Sequence, residues 1–425
     1  MKAITVVLHR LLLGAMTAWL FVFPLISGHA FGQVRENEHE NDGGKVYVMS
    51  NFPTGNTVMV FNRAEDGKLA QIQEVATGGL GSGAGVLPPP LPPNRPGPDP
   101  LQSQDALVMT ENGRFLLVVN AGSNEISVLA ADDGKLKLSD KVPSGGQFPV
   151  SIAVHNNLVY VLNEGESPDH AMGGVGNITG FSLDDAGKLH AIPNSARVLG
   201  PDTGVSDVLF SPDGRQLIVT EMFTNKIDVF QMVEGRPDRM TSISSNNPTP
   251  FGASFGRDNV LAVTEIDVIT VDGRRTGVAN ASTTSSYRLT PDGSLQPVSK
   301  AIPSNRTGSC WVRFSRDGRF AYTGDTGAGT ISIYSVSPEG KLSLQGLANT
   351  GGAFSAPVDL DVTPDGKFLY VVIPFGLIEH VPPLLPLPAE PVGRIQGYRI
   401  EQDGSLTPVT TVGGVPFHAQ GIVAR

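Results

Sequence analysis

The chain has 425 residues, of which 50 are Gly, 33 are Pro and 17% are charged. A composition so rich in turn-forming residues, without a long segment of helical period, favours an all-β protein. The formal net charge of −10 argues against a surface for nucleic acid or for anionic membranes.

Residues 1–32 have the order of a secretory signal. Lys2 and Arg10 come first, an apolar run covers residues 11–26, and small residues follow. We therefore predict a signal peptide, cleaved after Ala30 or Gly32, and a secreted or periplasmic protein. The alternative is an uncleaved anchor, because the run lies near the lower length limit of a membrane span. Residues 33–44 are polar and acidic and are predicted to form a flexible lead-in.

Two turn signals recur along the rest of the chain. The first joins the first two strands of each unit and occurs six times, at Asn112-Gly113, Asn156-Asn157, Asp213-Gly214, Asp258-Asn259, Asp317-Gly318 and Asp365-Gly366. The second joins the last two strands and occurs seven times, at Asp66-Gly67, Asp133-Gly134, Ala186-Gly187, Glu234-Gly235, Asp292-Gly293, Glu339-Gly340 and Asp403-Gly404. Successive first signals are 44 to 59 residues apart. This period, with four strands per unit, is typical of a β-propeller blade.

The unequal numbers of the two signals indicate how the ring closes. One first turn is missing because one blade is divided between the chain ends. Residues 419–424 would supply its innermost strand, and residues 45–49, 57–62 and 69–75 the other three. The sequence therefore predicts an all-β fold, a seven-bladed β-propeller with four-stranded blades, as one domain over residues 45–425. Such closure leaves no unpaired sheet edge.

Four segments exceed the repeat period: residues 78–103, 165–176, 267–284 and 374–393. The first connects two blades, and the other three lie between the second and third strands of their blades. Both kinds of connection emerge on the same face of an up-and-down propeller, so all four insertions are predicted on one face. One-sided insertions in a repeat array commonly mark the binding face, although neutral variation in loop length is the alternative.

Polar residues recur where the second strand of each blade reaches this insertion-bearing face. They are Asn51, Asn120, Asn163 with Glu164, Glu221, Glu265 and Asp325, and Asp207 and Asp359 fall on innermost strands. Grouped carboxylates either raise one another's pKa, which gives a general acid or base, or hold a cation. We therefore predict catalytic roles for Glu221, Asp207, Glu265 and Asp325, and ligand binding by the others. The alternative is that these residues cap hairpins by bonding local backbone.

Two basic residues join the ligand-binding candidates. His418 lies in a connection on the same face, as do His170 and His380, and Arg274 lies in the third insertion, where it would clamp an anionic ligand. An ordinary solvated loop arginine is the alternative. No zinc-ligand spacing is present. The single Cys, Cys310, is predicted to be a buried apolar residue and not a reactive thiol.

Three first turns share a longer pattern: Phe210-Ser-Pro-Asp-Gly-Arg, Phe314-Ser-Arg-Asp-Gly-Arg-Phe and Val362-Thr-Pro-Asp-Gly-Lys-Phe. These segments resemble the lactonase family of seven-bladed β-propellers, which includes 6-phosphogluconolactonase and the carboxymuconate lactonizing enzyme. The resemblance implies this fold over residues 45–425 and a His, Arg and Glu set near the channel mouth. Glu221 matches the Glu of that set. Gly204-Val205-Ser206-Asp207 stands where the family reads Gly-Pro-Arg-His, and Gly324-Asp325-Thr326-Gly327 where it reads Ser-Asn-Arg-Gly.

Two functions remain open. The first is a lactonase-like enzyme that hydrolyses or isomerises a small lactone at the channel mouth, with Glu221 as base and Asp207, Glu265 or Asp325 assisting. A divalent cation, Ca²⁺ or Mg²⁺, is an option for this chemistry. The second is a non-catalytic propeller that binds a small molecule, a glycan or a protein through its insertion-bearing face. We expect a monomer with a small-molecule or lactone ligand, no nucleic-acid partner, and membrane contact only through an uncleaved signal segment.

Overall fold

Runs of β-branched and aromatic residues between Gly- and Asp-containing turns form the strands of this computed structural model. The structure describes residues 42–86, 96–97, 99–132, 135–165, 174–271, 274–351, 355–374 and 393–425. The predicted signal peptide, residues 1–32, lies outside them. Seven antiparallel sheets form the blades of a β-propeller, six with four strands and one, blade 3, with its outer strand in two pieces, which confirms the predicted all-β fold and the blade number. In these residues no helix has the length and apolar character needed to cross a membrane.

Each blade runs from an innermost to an outer strand. Blade 1 has Ile422–Ala424, Asp42–Met49, Thr57–Ala64 and Leu69–Ala76. Blade 2 has Leu107–Met109, Phe115–Asn120, Glu125–Asp132 and Lys135–Pro143. Blade 3 has Pro149–His155, Leu158–Asn163, Val175–Leu183 and an outer strand divided into Leu189–Ala191 and Arg197–Pro201. Blade 4 has Val205–Phe210, Gln216–Glu221, Lys226–Val233 and Arg236–Ser244.

The remaining three blades follow the same order. Blade 5 has Pro250–Phe255, Val260–Glu265, Thr283–Leu289 and Leu295–Pro303. Blade 6 has Ser309–Phe314, Phe320–Asp325, Thr330–Val336 and Leu342–Asn349. Blade 7 has Leu360–Val362, Phe368–Ile373, Gly393–Ile400 and Leu406–Val415. Two 3-10 turns, Ala121–Ser123 and Arg257–Asn259, complete the described elements of the blades.

The chain ends share blade 1, as predicted. Ile422–Ala424 pairs with Asp42–Met49, and the amide nitrogen of Lys45 lies 2.7 Å from the carbonyl oxygen of Arg425. The buried side chain of Arg63 donates to the carbonyls of Gly43 and Arg425. It therefore connects both terminal segments of the propeller to the strand Thr57–Ala64. The strand begins at Asp42, inside the predicted lead-in.

The second turn signal recurs because it joins neighbouring blades. Gly404 has φ 83°, and a Cβ there would lie 2.3 Å from a ring carbon of Phe320 in blade 6. The Tyr322 hydroxyl donates to the Gly404 carbonyl at 3.1 Å. The same bond joins Tyr160 to Gly235 at 2.9 Å and Tyr370 to Gly67 at 2.7 Å. Glycine is required at such a turn because its backbone packs directly on the next blade.

Residues 99–105 form a plug in the centre of the ring. The Gln104 amide group donates to the carbonyl of Ala253 at 2.6 Å and accepts from Val312 N at 2.9 Å, which links blades 5 and 6. The Ser103 carbonyl accepts from Trp311 Nε1 at 2.8 Å and from the Gln420 side chain at 2.9 Å. The plug ends the first insertion, so part of one predicted loop fills the channel on the insertion-bearing face.

The other insertions are described in part. The third contains a hairpin of Val268–Val271 and Arg274–Gly277, here named the blade-5 hairpin. The first begins with a short pair, Gly85–Val86 and Pro96–Gly97. Most of the second and fourth insertions lie outside the described residues. Cys310 is buried, as predicted.

Candidate functional site

The residues that end the second strands of blades 2 to 6 occupy one position in the repeat. Each of them pairs with a residue of the third strand, and the residue two positions further along that strand lies on the same face of the sheet. We call that residue its diagonal neighbour. The end residues are Asn120, Asn163, Glu221, Glu265 and Asp325, and their diagonal neighbours are Ser127, Thr179, Asp228, Ser285 and Ser332. Four neighbours carry a hydroxyl group. The neighbour of Glu221 carries a carboxyl group instead.

Hydroxyl and amide donors surround Glu265 inside blade 5. Its carboxylate accepts from Ser245 Oγ at 2.8 Å, Thr283 Oγ1 at 2.6 Å, Ser285 Oγ at 2.7 Å and Asn247 N at 3.2 Å. Burial raises the pKa of Glu265, while these hydrogen bonds oppose the rise. The carboxylate thus joins the second and third strands of blade 5 to the connection that enters the blade from blade 4.

Asp325 has the same kind of environment in blade 6. It accepts hydrogen bonds from the hydroxyls of Ser309, Thr323, Thr330 and Ser332, at 2.6 to 3.3 Å. Burial raises its pKa to about 6, and the hydroxyl donors oppose the rise. Donors from their own blades and, for Glu265, from the connection into blade 5 occupy acceptor sites of both carboxylates, so the catalytic assignment of Glu265 and Asp325 stays a prediction.

Glu221 and Asp228 form a buried carboxyl pair. Glu221 is 2% exposed and Asp228 is 3% exposed. The Glu221 carboxylate accepts a hydrogen bond from the Thr224 hydroxyl. Burial raises the pKa of Glu221 to about 7; the Thr224 hydrogen bond opposes the rise and Asp228 adds to it. Asp228 Oδ1 has no hydrogen-bond partner in the described part of the chain. A carboxylate whose pKa lies near neutral pH suits a general base.

The connection into blade 4 runs beside this pair. Phe223 N donates to the Thr203 carbonyl at 3.0 Å, and Met222 N donates to the Gly204 carbonyl at 2.9 Å. Thr203 is 2% exposed, and its hydroxyl finds no hydrogen-bond partner among the described residues. Polar groups that are buried without a partner are rare in folded proteins and mark places where another molecule can bond.

The blade-5 hairpin reaches over the same connection. The guanidinium carbon of Arg275 lies 3.0 Å from the centroid of the Phe223 ring. Burial lowers the pKa of Arg275, whereas the carboxylates of Asp202 and Glu164 oppose this change. We call the group Glu164, Asp202, Thr203, Glu221, Asp228 and Arg275 the blade 3–4 site. The exposed Arg275 covers the ring of Phe223, which lies two residues after Glu221, so its guanidinium is a candidate to stabilise negative charge that develops beside this base.

Asp207 and Asp359 lie in the ring centre, away from this site. Asp207 accepts from Gln104 Nε2 at 3.1 Å and Ala253 N at 2.9 Å, and Asp359 accepts from Leu360 N at 2.8 Å. Burial raises the pKa of both groups well above the usual range. In the described structure Asp207 shares no hydrogen bond or ion pair with Glu221. The four predicted catalytic carboxylates are therefore not brought together in one pocket.

Below the plug, a cavity of about 350 Å³ opens toward the face with the short turns. Arg313 projects into it, donates to Asp105, and lies 3.6 Å from an oxygen of Asp361. None of these three residues was predicted from the sequence. Their positions on or beside innermost strands, where alternate side chains face the channel, are the signal that would have found them.

The amide candidates differ in their partners. Asn51 exchanges two hydrogen bonds of 2.9 Å with Ser82, and Asn120 accepts from Thr77 Oγ1 at 2.7 Å, so both hold the chain that leaves blade 1. Asn163 is fully buried, and neither atom of its amide group has a hydrogen-bond partner within the described ranges. Ligand binding by these residues stays a prediction.

The basic candidates lie apart from each other. His418 is buried against Phe52, and its Nδ1 lies 2.7 Å from the Ser50 carbonyl. Burial lowers the pKa of His418. Arg274 lies in the blade-5 hairpin, and its side chain is outside what the structure describes, as are His170 and His380. Among the described residues, no three His, Cys, Asp or Glu side chains are grouped as metal ligands would be.

Comparison with known proteins supports the fold. The chain matches the family described as "Lactonase, 7-bladed beta-propeller" over residues 35–201 and 264–373. A candidate 6-phosphogluconolactonase from Bacteroides uniformis is similar in structure, with 20% identity and a TM-score of 0.61, over 89% of this chain and 99% of that chain. The periplasmic gluconolactonase of Pseudomonas aeruginosa is similar over 89% and 99%, with 16% identity and a TM-score of 0.60. A hypothetical selenium-binding protein from Sulfolobus tokodaii, at 13% identity and over 90% and 93% of the chains, has a TM-score of 0.63. A search of curated protein sequences finds no match.

Proposed function

The chain belongs to the seven-bladed β-propeller lactonase family, and from this premise we propose that it hydrolyses a small lactone at the blade 3–4 site with Glu221 as general base. The observation that carries the proposal is the carboxyl pair of Glu221 and Asp228. Glu265 occupies the same repeat position in blade 5, yet donors surround it, whereas Glu221 accepts from Thr224 and lies beside a second acid.

The reaction needs one water molecule. The Glu221 carboxylate removes a proton from this water as the water oxygen adds to the lactone carbonyl carbon. The resulting oxyanion is stabilised by the guanidinium of Arg275. The bond between the carbonyl carbon and the ring oxygen then breaks, and the ring oxygen leaves as a hydroxyl that takes the proton from Glu221. The product is a hydroxy acid, and Glu221 is again a carboxylate.

We further propose that the protein acts outside the cytoplasm. The order of residues 1–32 supports this, and the Pseudomonas aeruginosa relative is described as periplasmic. A non-catalytic binding function on the insertion-bearing face is the second candidate. The plug favours it, because residues 99–105 fill the ring centre where the family resemblance implies a site at the channel mouth.

Hydrolysis of a panel of five- and six-membered lactones by the full-length protein tests the proposal. We expect Glu221→Gln to lower kcat/KM by at least about a hundredfold, since general-base catalysis contributes roughly 10²–10⁴-fold. Glu265→Gln is the matched control and should keep its activity wherever it remains folded. NMR identification of the product separates hydrolysis from isomerisation. Equal rates for the wild type and Glu221→Gln would remove Glu221 from catalysis and leave the binding function.

A further inference from the structure

The charges of the blade 3–4 site indicate which lactones it accepts. Resting on the proposed function, we infer that the site selects an uncharged, hydroxyl-rich lactone and discriminates against a phosphorylated one, with Asp202, Glu164 and Arg275 as the specificity-determining residues.

The balance of charge at the site disfavours a phosphorylated ligand. The site contains four carboxyl groups, Glu164, Asp202, Glu221 and Asp228, and one guanidinium, Arg275. Lys226 adds one cation, which lies on the exposed side of Glu221. If the carboxyl pair shares one proton, the described groups still sum to a net negative charge. A phosphate dianion entering this field is repelled, whereas a neutral ring is not.

The surroundings of Arg275 favour hydroxyl groups over a phosphate. A guanidinium that selects phosphate presents a free edge for two parallel hydrogen bonds. Here one face of the guanidinium covers the Phe223 ring at 3.0 Å, and the carboxylates of Asp202 and Glu164 lie within electrostatic reach. The site therefore contains donor groups as well as acceptor groups. Hydroxyl groups match this arrangement because each can donate and accept.

Two buried polar atoms of the site have no hydrogen-bond partner among the described residues. Thr203 Oγ1 and Asp228 Oδ1 belong to residues more than nine-tenths buried, and neither has a hydrogen-bond partner in the part of the chain that the structure describes. A sugar hydroxyl can donate to the carboxylate oxygen and can either donate to or accept from the threonine. A site built to bond hydroxyl groups discriminates strongly against analogues that leave its polar atoms unpaired.

The test compares two substrates that differ only in one phosphate: glucono-1,5-lactone and its 6-phosphate. We expect kcat/KM to favour the neutral lactone by about tenfold at low salt. This estimate is the Coulomb repulsion between a phosphate dianion and one net negative charge of the site, partly screened by water. Raising the salt should reduce this preference, because the Debye length falls from about 30 Å at 0.01 M to about 3 Å at 1 M. Asp202→Asn should reduce it several-fold, as should Glu164→Gln. Asp238→Asn removes an exposed carboxylate from the outer strand of blade 4 and should leave it unchanged.

The outcomes separate this inference from the proposed function. If hydrolysis depends on Glu221 but the rates for the two lactones are equal, or the phosphorylated lactone is preferred, the inferred selectivity is wrong. The proposed lactonase function is then still supported. If neither lactone is hydrolysed in a Glu221-dependent way, the proposed function fails. Calorimetry with the corresponding lactams, neutral and phosphorylated, then decides the inference on binding alone. Tighter binding of the neutral lactam, weakened by Asp202→Asn, supports it, and no binding or no discrimination overturns it.

Discussion

Replacing Asp228 by Ser should lower the pKa of Glu221 and thereby change both activity and stability with pH. The substitution gives Glu221 the kind of neighbour that Glu265 and Asp325 have, namely a serine hydroxyl in place of a second carboxyl group. The pKa rise from 4.5 to about 7 would be worth ~3.4 kcal/mol for a carboxyl fully shielded from water. Water near the end of the strand screens the Glu221 carboxyl, which reduces this free energy to roughly half. Burial, the largest cause, survives the substitution, so we expect a decrease of about one pKa unit, or ~1 kcal/mol.

The direction with pH follows from the protonation of Glu221. Because the folded-state pKa is raised, the favourable contribution is present below pH 4.5 and is lost as the pH rises through about 7. Between pH 5 and 8 the wild type should therefore lose ~1 kcal/mol more unfolding free energy than Asp228→Ser. The pH at half-maximal kcat/KM should move from near 7 to near 6, since the base acts when ionised.

Urea unfolding at pH 5 and pH 8, together with an NMR titration of the Glu221 carboxyl carbon, measures these changes without relying on turnover. Asp228→Asn keeps the side-chain volume and removes the negative charge, so it serves as a second variant if the serine protein is poorly folded. An unchanged Glu221 titration midpoint in both variants would show that Asp228 has no electrostatic effect on Glu221.

Four further substitutions, one of them a control, test the contacts that hold the ring together. Gln104→Leu should lower the unfolding free energy by ~2–4 kcal/mol in urea, because it leaves buried donors and acceptors of several blades unpaired; a loss below ~0.5 kcal/mol would show that the plug is not stabilising. Arg63→Met should cost ~2–3 kcal/mol by releasing the chain ends, and hydrogen exchange should rise in blade 1 before other blades. Tyr322→Phe should lower the unfolding free energy by ~1 kcal/mol, because it removes the hydrogen bond to Gly404. The Tyr334 hydroxyl has no partner among the described residues, so the control Tyr334→Phe should lower the unfolding free energy clearly less. Equal losses for the two variants would contradict a stabilising bond between the blades.

Blade number and closure could be predicted because their signals are local. In the six second turns that the structure describes, a glycine of positive φ lies against a neighbouring blade, as Gly404 does against Phe320, where a larger residue would collide. Because of this steric constraint, the same few residue types recur at the second turn of successive repeats. The plug left no such signal. Ser103 bonds Trp311 and Gln420, which lie more than two hundred residues away, and each contact depends on the complete ring.

The candidate site could be predicted only in part. The repeat period correctly placed Glu221, Glu265 and Asp325 at equivalent strand ends, but it did not show where their side chains bond. That depends on the third strand, where Ser285 and Ser332 supply hydroxyls and Asp228 does not. Comparing third strands across blades would have identified Asp228 from the sequence. No such comparison could place Arg275, because it lies in an insertion without counterparts in other blades.

The contrast between blades argues that the carboxyl pair is retained for chemistry. Two blades provide a buried carboxylate with hydroxyl donors, which shows that the repeat has a stable solution for an acid at this position. Blade 4 replaces the hydroxyl with a second acid and leaves Asp228 Oδ1 without a partner in the described structure, a change that lowers stability at neutral pH. The closed ring, held by the chain-end pairing and the inter-blade bonds, tolerates that cost. A local rule broken in one repeat and kept in the others is expected where a site depends on the exception.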